Sequence, residues 1–325
     1  MKDMSKSKTI ITEIEEMLHE KQITFDSLTH LSWIEERKSG KHFSMSEHIR
    51  GLIYSLLSNN RPWQQIESNI DEIDEIFFEY DKDKILATNA VVFIDRLQAI
   101  KCGNRNIKNQ MNSLHANIRK LERIEKEFGT LDNFVTSGSP LEIADLLANS
   151  KKYKLSTLGL ALAMEYLRNV GIDATKPDTH IRRILGKNRL GYSVQQIAGE
   201  IEAIEIIDTI SSQTGCSASK IDAILWLFCS DDNGMICTDK PHCDQCTLRG
   251  KYCNYLAYSL NNSMTDEEKK NTRFGAILPD VVVKESQCTE CLHSNGKNCD
   301  AFGEKPRQYA SAVINEPCPK RMSIK

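Results

Sequence analysis

Four cysteines near residue 245 have the residue type and the spacing of a metal centre. They are Cys237, Cys243, Cys246 and Cys253, in the pattern C-x5-C-x2-C-x6-C. Four thiolates bind either a tetrahedral zinc ion or a [4Fe–4S] cluster, and this spacing is compatible with both. Disulfides or free thiols are a third reading, although nothing else in the chain indicates an oxidising compartment. The segment is therefore a candidate metal site.

A second candidate is the carboxylate of Asp178. It follows Pro177 in the segment Lys176-Pro177-Asp178-Thr179-His180, and the proline restricts the backbone that leads to it. An aspartate here is well placed to cap the helix that follows, and capping alone would explain it.

A third candidate is the segment Leu155–Ala163, which indicates two helices joined by a tight turn at Gly159. A turn that directs backbone N–H groups outward at the start of a helix binds phosphate without any particular side chain. An ordinary pair of antiparallel helices has the same pattern, so the segment gains meaning only from its neighbours.

The elements that must position these residues are predicted to be helices. Apolar residues recur every three and four positions in segments 10–18, 49–57 and 66–77, and no stretch of that length alternates with period two. Further helices are predicted at about 84–98, 106–127, 141–149, 160–170, 179–186, 194–206 and 219–229. The sequence therefore predicts an all-α protein with short loops.

Length, charge and apolar content limit the class of protein. The 325 residues suffice for two lobes, and the longest apolar run, Ala223–Cys229, is too short to cross a bilayer. No signal-peptide pattern follows Met1, and eleven cysteines suit a reducing compartment, so a cytoplasmic protein is expected. The net charge of −3 combines an acidic run at 67–83 with a basic run at 151–189. The basic run is a candidate phosphate-binding surface.

The chain changes character after about residue 256. Residues 257–284 are polar and read as a linker, and residues 285–325 hold a second cysteine set. This set is Cys288, Cys291, Cys299 and Cys318. Its spacing fits a small zinc module, and unpaired thiols are the alternative.

In their order and spacing, the three candidate segments resemble the motifs of the helix-hairpin-helix base-excision DNA glycosylase superfamily, in its endonuclease III-like, iron–sulfur branch. That family has a hairpin L-P-G-V-G-x-K-T-A, then V-D-T-H, then C-x6-C-x2-C-x5-C. The counterparts here are Leu155–Ala163, Pro177–His180 and the four cysteines 237, 243, 246 and 253. The resemblance covers roughly residues 45–256 and implies a two-lobed all-α fold, with residues 1–44 as an N-terminal helical extension.

The resemblance also implies an activity. The family flips a damaged or modified base out of double-stranded DNA and cleaves its glycosidic bond, and Asp178 inherits the role of the essential carboxylate. Members that also cut the strand use a lysine at the position of Ala161, so a monofunctional enzyme is expected. A non-catalytic DNA-binding protein and a glycosylase/lyase with a displaced lysine, Lys176 or Lys154, are the alternatives.

The resemblance assigns further residues. It implies a [4Fe–4S] cluster on the four cysteines, where the cluster holds a DNA-binding loop and takes no part in base removal. It also implies DNA contacts, which would be made by Asn60, Lys154, Thr157, Gly159 and Arg182. Thr157 replaces the first hairpin glycine, and Ser55 stands where the adenine-specific branch has a catalytic glutamate. A monomer acting on duplex DNA is expected.

Overall fold

The computed structural model describes residues 2–24, 28–59 and 61–255, together with the pairs 294–295 and 298–299. The chain divides into two compact units, Met1–Cys253 and Asn254–Lys325. Helices make up the regular structure of residues 2–255, which confirms the predicted all-α character for this part of the chain. None of the described helices is long and apolar enough to span a membrane.

The first lobe of the larger unit surrounds the long helix α8. Met111, Leu114, Ile118 and Leu121 recur along one face of α8 and are fully buried. Helices α3, α7 and α9 contact α8 on this side. The helices of this lobe are α2 (Thr29–Lys38), α3 (Met45–Leu57), α4 (Trp63–Glu67), α5 (Ile70–Ile76), α6 (Lys82–Ala87), α7 (Ala90–Ala99), α8 (Ile107–Phe128), α9 (Leu131–Val135), α10 (Pro140–Asn149) and α11 (Leu160–Arg168), with a 3-10 turn at Phe78–Tyr80.

The second lobe has its own apolar core, formed by both ends of the larger unit. It contains α1 (Lys2–Glu20), α12 (Thr179–Leu185), α13 (Glu200–Thr214) and α14 (Ala218–Cys229), with a 3-10 turn at Cys243–Gln245. Ile10, Ile14 and Leu18 of α1 are buried in this core, and α1 packs against α13 and α14. The N-terminal helix is therefore an integral part of the second lobe.

Three predicted helices differ from the structure. The segment 66–77 is divided into α4 and α5, which are separated by Ser68 and Asn69. The helix expected at 84–98 is divided into α6 and α7, because the side chain of Asn89 accepts a hydrogen bond from the Val91 N–H and starts a new helix. The helix expected at 194–206 begins only at Glu200, after an irregular segment that closes against α12. Gly186 is required there, since a Cβ atom would lie 1.9 Å from the Gln196 carbonyl oxygen.

A buried carboxylate ties the helices of the first lobe together. Asp132 accepts hydrogen bonds from the Arg37 guanidinium at 2.7 Å and from the Phe43 N–H at 2.8 Å, and His48 lies 3.3 Å away. Burial alone would raise the pKa of Asp132, but the hydrogen bonds from His48, Arg37 and Phe43 outweigh it, and the pKa lies well below its usual value. Asp132 is thus an ionised, paired group inside the lobe.

We expect Asp132→Ala to lower the free energy of unfolding by about 3–5 kcal/mol, because it leaves the charge of Arg37 without its partner in a largely buried position. Urea denaturation followed by circular dichroism measures the change. The exposed Asp145→Ala is the control and should change stability by less than about 0.5 kcal/mol. Equal effects of the two substitutions would contradict this account of the network.

The smaller unit is described only in part. Strand β1 (Ser294–Asn295) pairs with strand β2 (Asn298–Cys299) in antiparallel register. The predicted linker and three of the tail cysteines, Cys288, Cys291 and Cys318, lie outside the described residues. The possible zinc module stays a prediction.

Candidate active site and cysteine loop

A cavity of about 490 Å³ is lined by residues of both lobes. The turn after α3, helix α4, helix α11, the segment 176–180 and helix α14 contribute to its walls. Aromatic side chains that line it include Trp33, Trp63 and Trp226, and polar ones include Ser58, Glu165, Arg168, Lys176 and Asp178. A cavity that combines large aromatic surfaces with several converging polar and charged groups is typical of small-molecule or base binding.

Asp178 is held at the cavity wall by the helix that it caps. Its Oδ1 atom accepts hydrogen bonds from the backbone N–H groups of His180 at 2.8 Å and Ile181 at 3.1 Å. The capping role is therefore real. No hydrogen bond to Oδ2 is seen from the residues described here. The cap fixes the side chain and leaves one carboxylate oxygen for another partner.

A buried charge network positions the segment that leads to Asp178. Asp222 on α14 accepts a hydrogen bond from the Lys176 backbone N–H at 2.9 Å through one oxygen and from Arg168 at 2.8 Å through the other. Burial raises the pKa of Asp222 to about 7, although the charge of Arg168 acts in the opposite direction. The network therefore joins α11, α14 and the Asp178 segment.

Lys176 and Glu165 form a second pair on the cavity wall. The Lys176 ammonium lies 3.7 Å from Oε1 of Glu165 and donates a hydrogen bond to the Ser58 hydroxyl at 3.1 Å. Burial alone would raise the pKa of Glu165, but the charges of Lys176 and Arg168 outweigh it and lower the pKa. Glu165 is therefore a carboxylate anion beside the cavity, where sequence analysis assigned no role to it.

The imidazole of His30 completes this cluster in its neutral form. Arg168 contacts its Nε2 atom at 2.6 Å, and burial, followed by the charges of Arg168 and Lys176, lowers its pKa well below 6.5. The pKa of the buried His48 is also lowered, mainly by burial. Both histidines bind a proton more readily in the unfolded chain than in the folded protein.

We expect His30 and His48 to make the free energy of unfolding fall as the pH drops below about 6.5, since the unfolded chain then binds two protons that the folded protein does not. Asp222, with its raised pKa, acts in the opposite direction and offsets part of this fall. His30→Gln should reduce this slope by up to about 1.4 kcal/mol per pH unit, the value for one proton. The slope is measured by urea denaturation at several pH values between about 5 and about 7.5, the range in which histidine side chains titrate. The exposed His19→Gln should leave it unchanged, and an unaltered slope in His30→Gln would refute the assignment.

The predicted helix pair is present as α10 and α11, but α10 ends at Asn149, so residues 150–159 form a longer connection than the tight turn expected at Gly159. This hairpin is fixed by a residue that sequence analysis missed. The buried Asn117 of α8 bonds both backbone groups of Ser156, at 3.0 Å to the carbonyl and 2.7 Å from the N–H. Thr157 has a φ of +63°, a left-handed conformation that a β-branched residue rarely adopts. Gly159 precedes α11 without a side-chain cap, so the first N–H groups of α11 remain available to a ligand.

The predicted site residues fall into two groups. Asp178 and Arg182 line the cavity, and Arg182 donates a hydrogen bond to the Ala198 carbonyl at 2.7 Å. Lys154, Thr157 and Gly159 lie on the hairpin, and Lys154 and Gly159 are exposed. Asn60 lies outside the described residues. Ala161 and Leu162 line the cavity from the first turn of α11, so this helix connects the two groups.

Fewer of the basic side chains in the run 151–189 are exposed than the sequence indicates. Lys151, Lys152 and Lys154 are exposed on the hairpin, whereas Arg168 and Arg189 are each 6% exposed. The expectation of one continuous phosphate-binding surface is therefore wrong in part. The exposed charge is concentrated on the hairpin.

The four cysteines lie in one compact loop after α14. Burial raises the pKa of Cys246 to about 11, and the nearby thiols of Cys237, Cys253 and Cys243 act in the same direction, so the four groups are electrostatic neighbours. In the described part of the chain, no three His, Cys, Asp or Glu side chains lie close enough to hold a single metal ion. A [4Fe–4S] cluster is larger than one ion, and this donor set is chemically suited to it. The cofactor itself stays a prediction.

Helix α1 holds this loop in place. Thr247 donates a hydrogen bond to Glu13 at 2.8 Å, and Lys21 donates one to Gln245 at 2.8 Å. On the other side of the loop, the neighbouring thiol of Cys229 on α14 lowers the pKa of Cys237. Helix α1 therefore connects the apolar core of the second lobe to the cysteine loop.

Among the solved structures that resemble the chain are two DNA glycosylases. One is an 8-oxoguanine glycosylase/lyase of Methanocaldococcus jannaschii in complex with a 15mer DNA containing 8-oxoguanine. It has 20% sequence identity and a TM-score of 0.46, and the match covers 67% of this chain and 96% of that chain. The other is an 8-oxoguanine DNA glycosylase of the same organism, with 18% identity, a TM-score of 0.46 and coverage of 66% and 92%. No protein-family model and no curated protein sequence matches the chain. At this level of likeness, its activity has to be argued from its own residues.

Proposed function

We propose that the protein is a monofunctional DNA glycosylase of the helix-hairpin-helix superfamily, which removes a damaged or modified base from double-stranded DNA. The observation that carries this proposal is Asp178 at the wall of a cavity of about 490 Å³, with one carboxylate oxygen fixed by two backbone N–H groups. A cavity of this size accommodates an extruded base. The carboxylate then lies where the sugar of that nucleotide enters.

In the reaction, the bond between C1′ and the base nitrogen breaks, and its electron pair leaves with the base. The sugar becomes positively charged in an oxocarbenium-like transition state, which the anion of Asp178 stabilises. A water molecule adds to C1′ and transfers a proton to Asp178. The departing base takes up a proton from solvent, and Asp178 returns its own proton to solvent, so that the carboxylate is regenerated. The products are the free base and an abasic site.

DNA binding is assigned to the hairpin and the basic residues around it. The available N–H groups at the start of α11 and the exposed Lys154 are suited to a phosphate, and Thr157 and Gly159 shape the turn that presents them. Arg182 at the cavity and Asn60 are the further DNA contacts. These contacts place the duplex beside the cavity because α11 runs from the hairpin to the cavity wall.

The four cysteines are assigned to a [4Fe–4S] cluster with a structural role. When bound, the cluster would cross-link the loop from Cys237 to Cys253. The loop carries Lys240, Arg249 and Lys251, all exposed, which can contact a DNA backbone. The protein groups that hold the loop are those of α1 and α14.

Lys176 supports a second candidate, a glycosylase with lyase activity, since it lines the cavity near Asp178. A lyase needs an uncharged amine to attack C1′ and form a Schiff base. Lys176 is instead paired with Glu165, and an ammonium has no lone pair for this attack. Ala161, at the position of the usual lysine, also lines the cavity and has no nucleophile. The monofunctional reaction is therefore favoured.

The test is incubation with duplexes that each carry one damaged or modified base, followed by strand analysis with and without alkali. Strand breaks that require alkali are expected, and borohydride should trap no covalent complex. Breaks without alkali, together with a trapped complex that is lost in Lys176→Met, would establish the lyase instead. Tight DNA binding without any base release would leave a non-catalytic binding protein.

A further inference from the structure

Among the described residues, the hydrogen-bonding capacity of Glu165 and Lys176 is only partly used. Glu165 Oε1 is 3.7 Å from Lys176, beyond hydrogen-bond length, and Oε2 accepts no hydrogen bond from the described residues, although Arg168 lies 3.4 Å from it. The Glu165 side chain is only 12% exposed. A buried carboxylate that lacks hydrogen-bond donors is costly, so a bound ligand with an N–H group would relieve this deficit.

Lys176 offers the complementary group beside it. Its ammonium has three N–H bonds, of which one is donated to the Ser58 hydroxyl. The pair therefore presents a hydrogen-bond acceptor and a strong donor side by side on the cavity wall. A planar base with an N–H group next to an acceptor atom matches both.

We propose that Glu165 and Lys176 read the lactam edge of the extruded base, in which a ring N–H is adjacent to a carbonyl group. This inference rests on the proposed glycosylase activity and assigns its substrate class. Glu165 accepts the ring N–H, and Lys176 donates to the carbonyl oxygen. Uracil, hypoxanthine and 8-oxoguanine are bases of this class.

The positive charge of Lys176 also favours the release of bases that carry a carbonyl group at this position. A neutral base leaves with the electron pair of its glycosidic bond, and in a lactam the negative charge spreads to the carbonyl oxygen. An ammonium at that oxygen stabilises the charge as it develops. An amino base has its acceptor on a ring nitrogen, and a cationic alkylated base leaves as a neutral molecule, so both gain less from Lys176.

The electrostatics of the cavity also disfavour a cationic base. Arg168 and Lys176 are both positive and lie beside Glu165, while Asp222 is paired with Arg168. Asp178 is needed by the positively charged sugar in the transition state. A third cation at Glu165 would therefore lie close to two like charges.

The experiment compares single-turnover base release from duplexes that differ by one methyl group. The pairs are uracil against N3-methyluracil and hypoxanthine against N1-methylhypoxanthine, with adenine and 3-methyladenine as bases of other classes. The unmodified protein should release at least one of the two lactam bases at least about 100-fold faster than its methylated partner, because a site built to bind an N–H rejects the analogue that lacks it.

Variants then assign this selectivity to the pair. In Glu165→Ala, the unmethylated lactam base should be released no more than about tenfold faster than its methylated partner. Lys176→Met should slow the release of the unmethylated lactam base by about 100-fold. Lys82→Met and Glu122→Gln are matched controls, since these residues form a surface ion pair that lies outside the cavity lining. They should leave both rates unchanged. Thermal unfolding of each variant shows whether it is folded.

The outcomes separate the two proposals. Release of methylated and unmethylated lactams at rates within about threefold of each other overturns the reading by Glu165. Release of adenine or 3-methyladenine, with no release of uracil, hypoxanthine or 8-oxoguanine, overturns the lactam class and leaves the glycosylase in place. No release of any base, with DNA still bound, removes the glycosylase and this inference together.

Discussion

Asp178→Asn is expected to reduce base release by roughly 10³-fold or more, while the fold and DNA affinity are retained. The anion that stabilises the sugar cation and accepts the proton of water is lost. The helix cap is kept, because asparagine caps helices as well as aspartate does and can accept the same bonds from His180 and Ile181. Single-turnover rates on the best duplex substrate measure the loss, and fluorescence anisotropy measures binding.

The matched control for this substitution is Asp81→Asn. Asp81 caps α6 in the same way, accepting hydrogen bonds from the N–H groups of Asp83 and Lys84, and it does not line the cavity. Its variant should release base at the unmodified rate. If Asp178→Asn and Asp81→Asn were equally active, Asp178 would be a cap and nothing more.

Cys246→Ala is expected to remove the cluster and with it the order of the cysteine loop. Iron content should fall from about four atoms per chain to near zero, and the brown colour of anaerobically purified protein should be lost. The loop then lacks its cross-link, so DNA affinity should fall by at least about tenfold and the thermal unfolding temperature should decrease. Iron analysis, absorption spectra and anisotropy measure these changes.

The control is Cys216→Ala, which removes a partly buried free thiol outside the cysteine loop. It should keep its iron and its DNA affinity. Unmodified protein that is colourless, free of iron and loaded with zinc would refute the cluster and favour the zinc reading of the same four thiolates.

The helical fold could be predicted because apolar spacing along the chain is a local signal. Its interruptions are less visible in the sequence. The sequence predicts a helix from residue 194 because Val194 and Ile197 extend the apolar pattern. Both side chains are exposed in the structure, so they contribute nothing to a buried helix face, and the helix begins later. The sequence does contain a start signal for this helix. Glu202 lies three residues after Gly199, and its side chain accepts a hydrogen bond from the Gly199 N–H as part of a helix cap.

The site could be predicted in part for the same reason. Asp178, the hairpin and the cysteines stand in short motifs that a single sequence displays. Glu165 and Lys176 are eleven residues apart in the sequence, and they meet only because Asp222 bonds the backbone at Lys176 and the side chain of Arg168. This contact depends on the packing of three separate segments of the chain, so a local sequence pattern cannot predict it.

Asn117 and helix α1 illustrate the same limit. Asn117 is one of several polar residues on α8, and only the packed hairpin shows that it bonds Ser156 twice. Helix α1 reads as an amphipathic extension with no stated partner. It is buried against α13 and α14, and the bonds of Glu13 to Thr247 and of Lys21, just after the helix, to Gln245 join residues that are more than 200 positions apart.

The most direct test of the central claim, that the Asp178 cavity excises a base, is to count the products of one reaction. Duplexes carrying one modified base are incubated with the protein, released bases are identified by mass spectrometry, and abasic sites are counted after alkaline cleavage. We expect one free, chemically unaltered base for each abasic site, and release by Asp178→Asn that is slower by roughly 10³-fold or more. Bound DNA without any free base, or release by Asp178→Asn at the unmodified rate, would show that the Asp178 cavity does not excise a base.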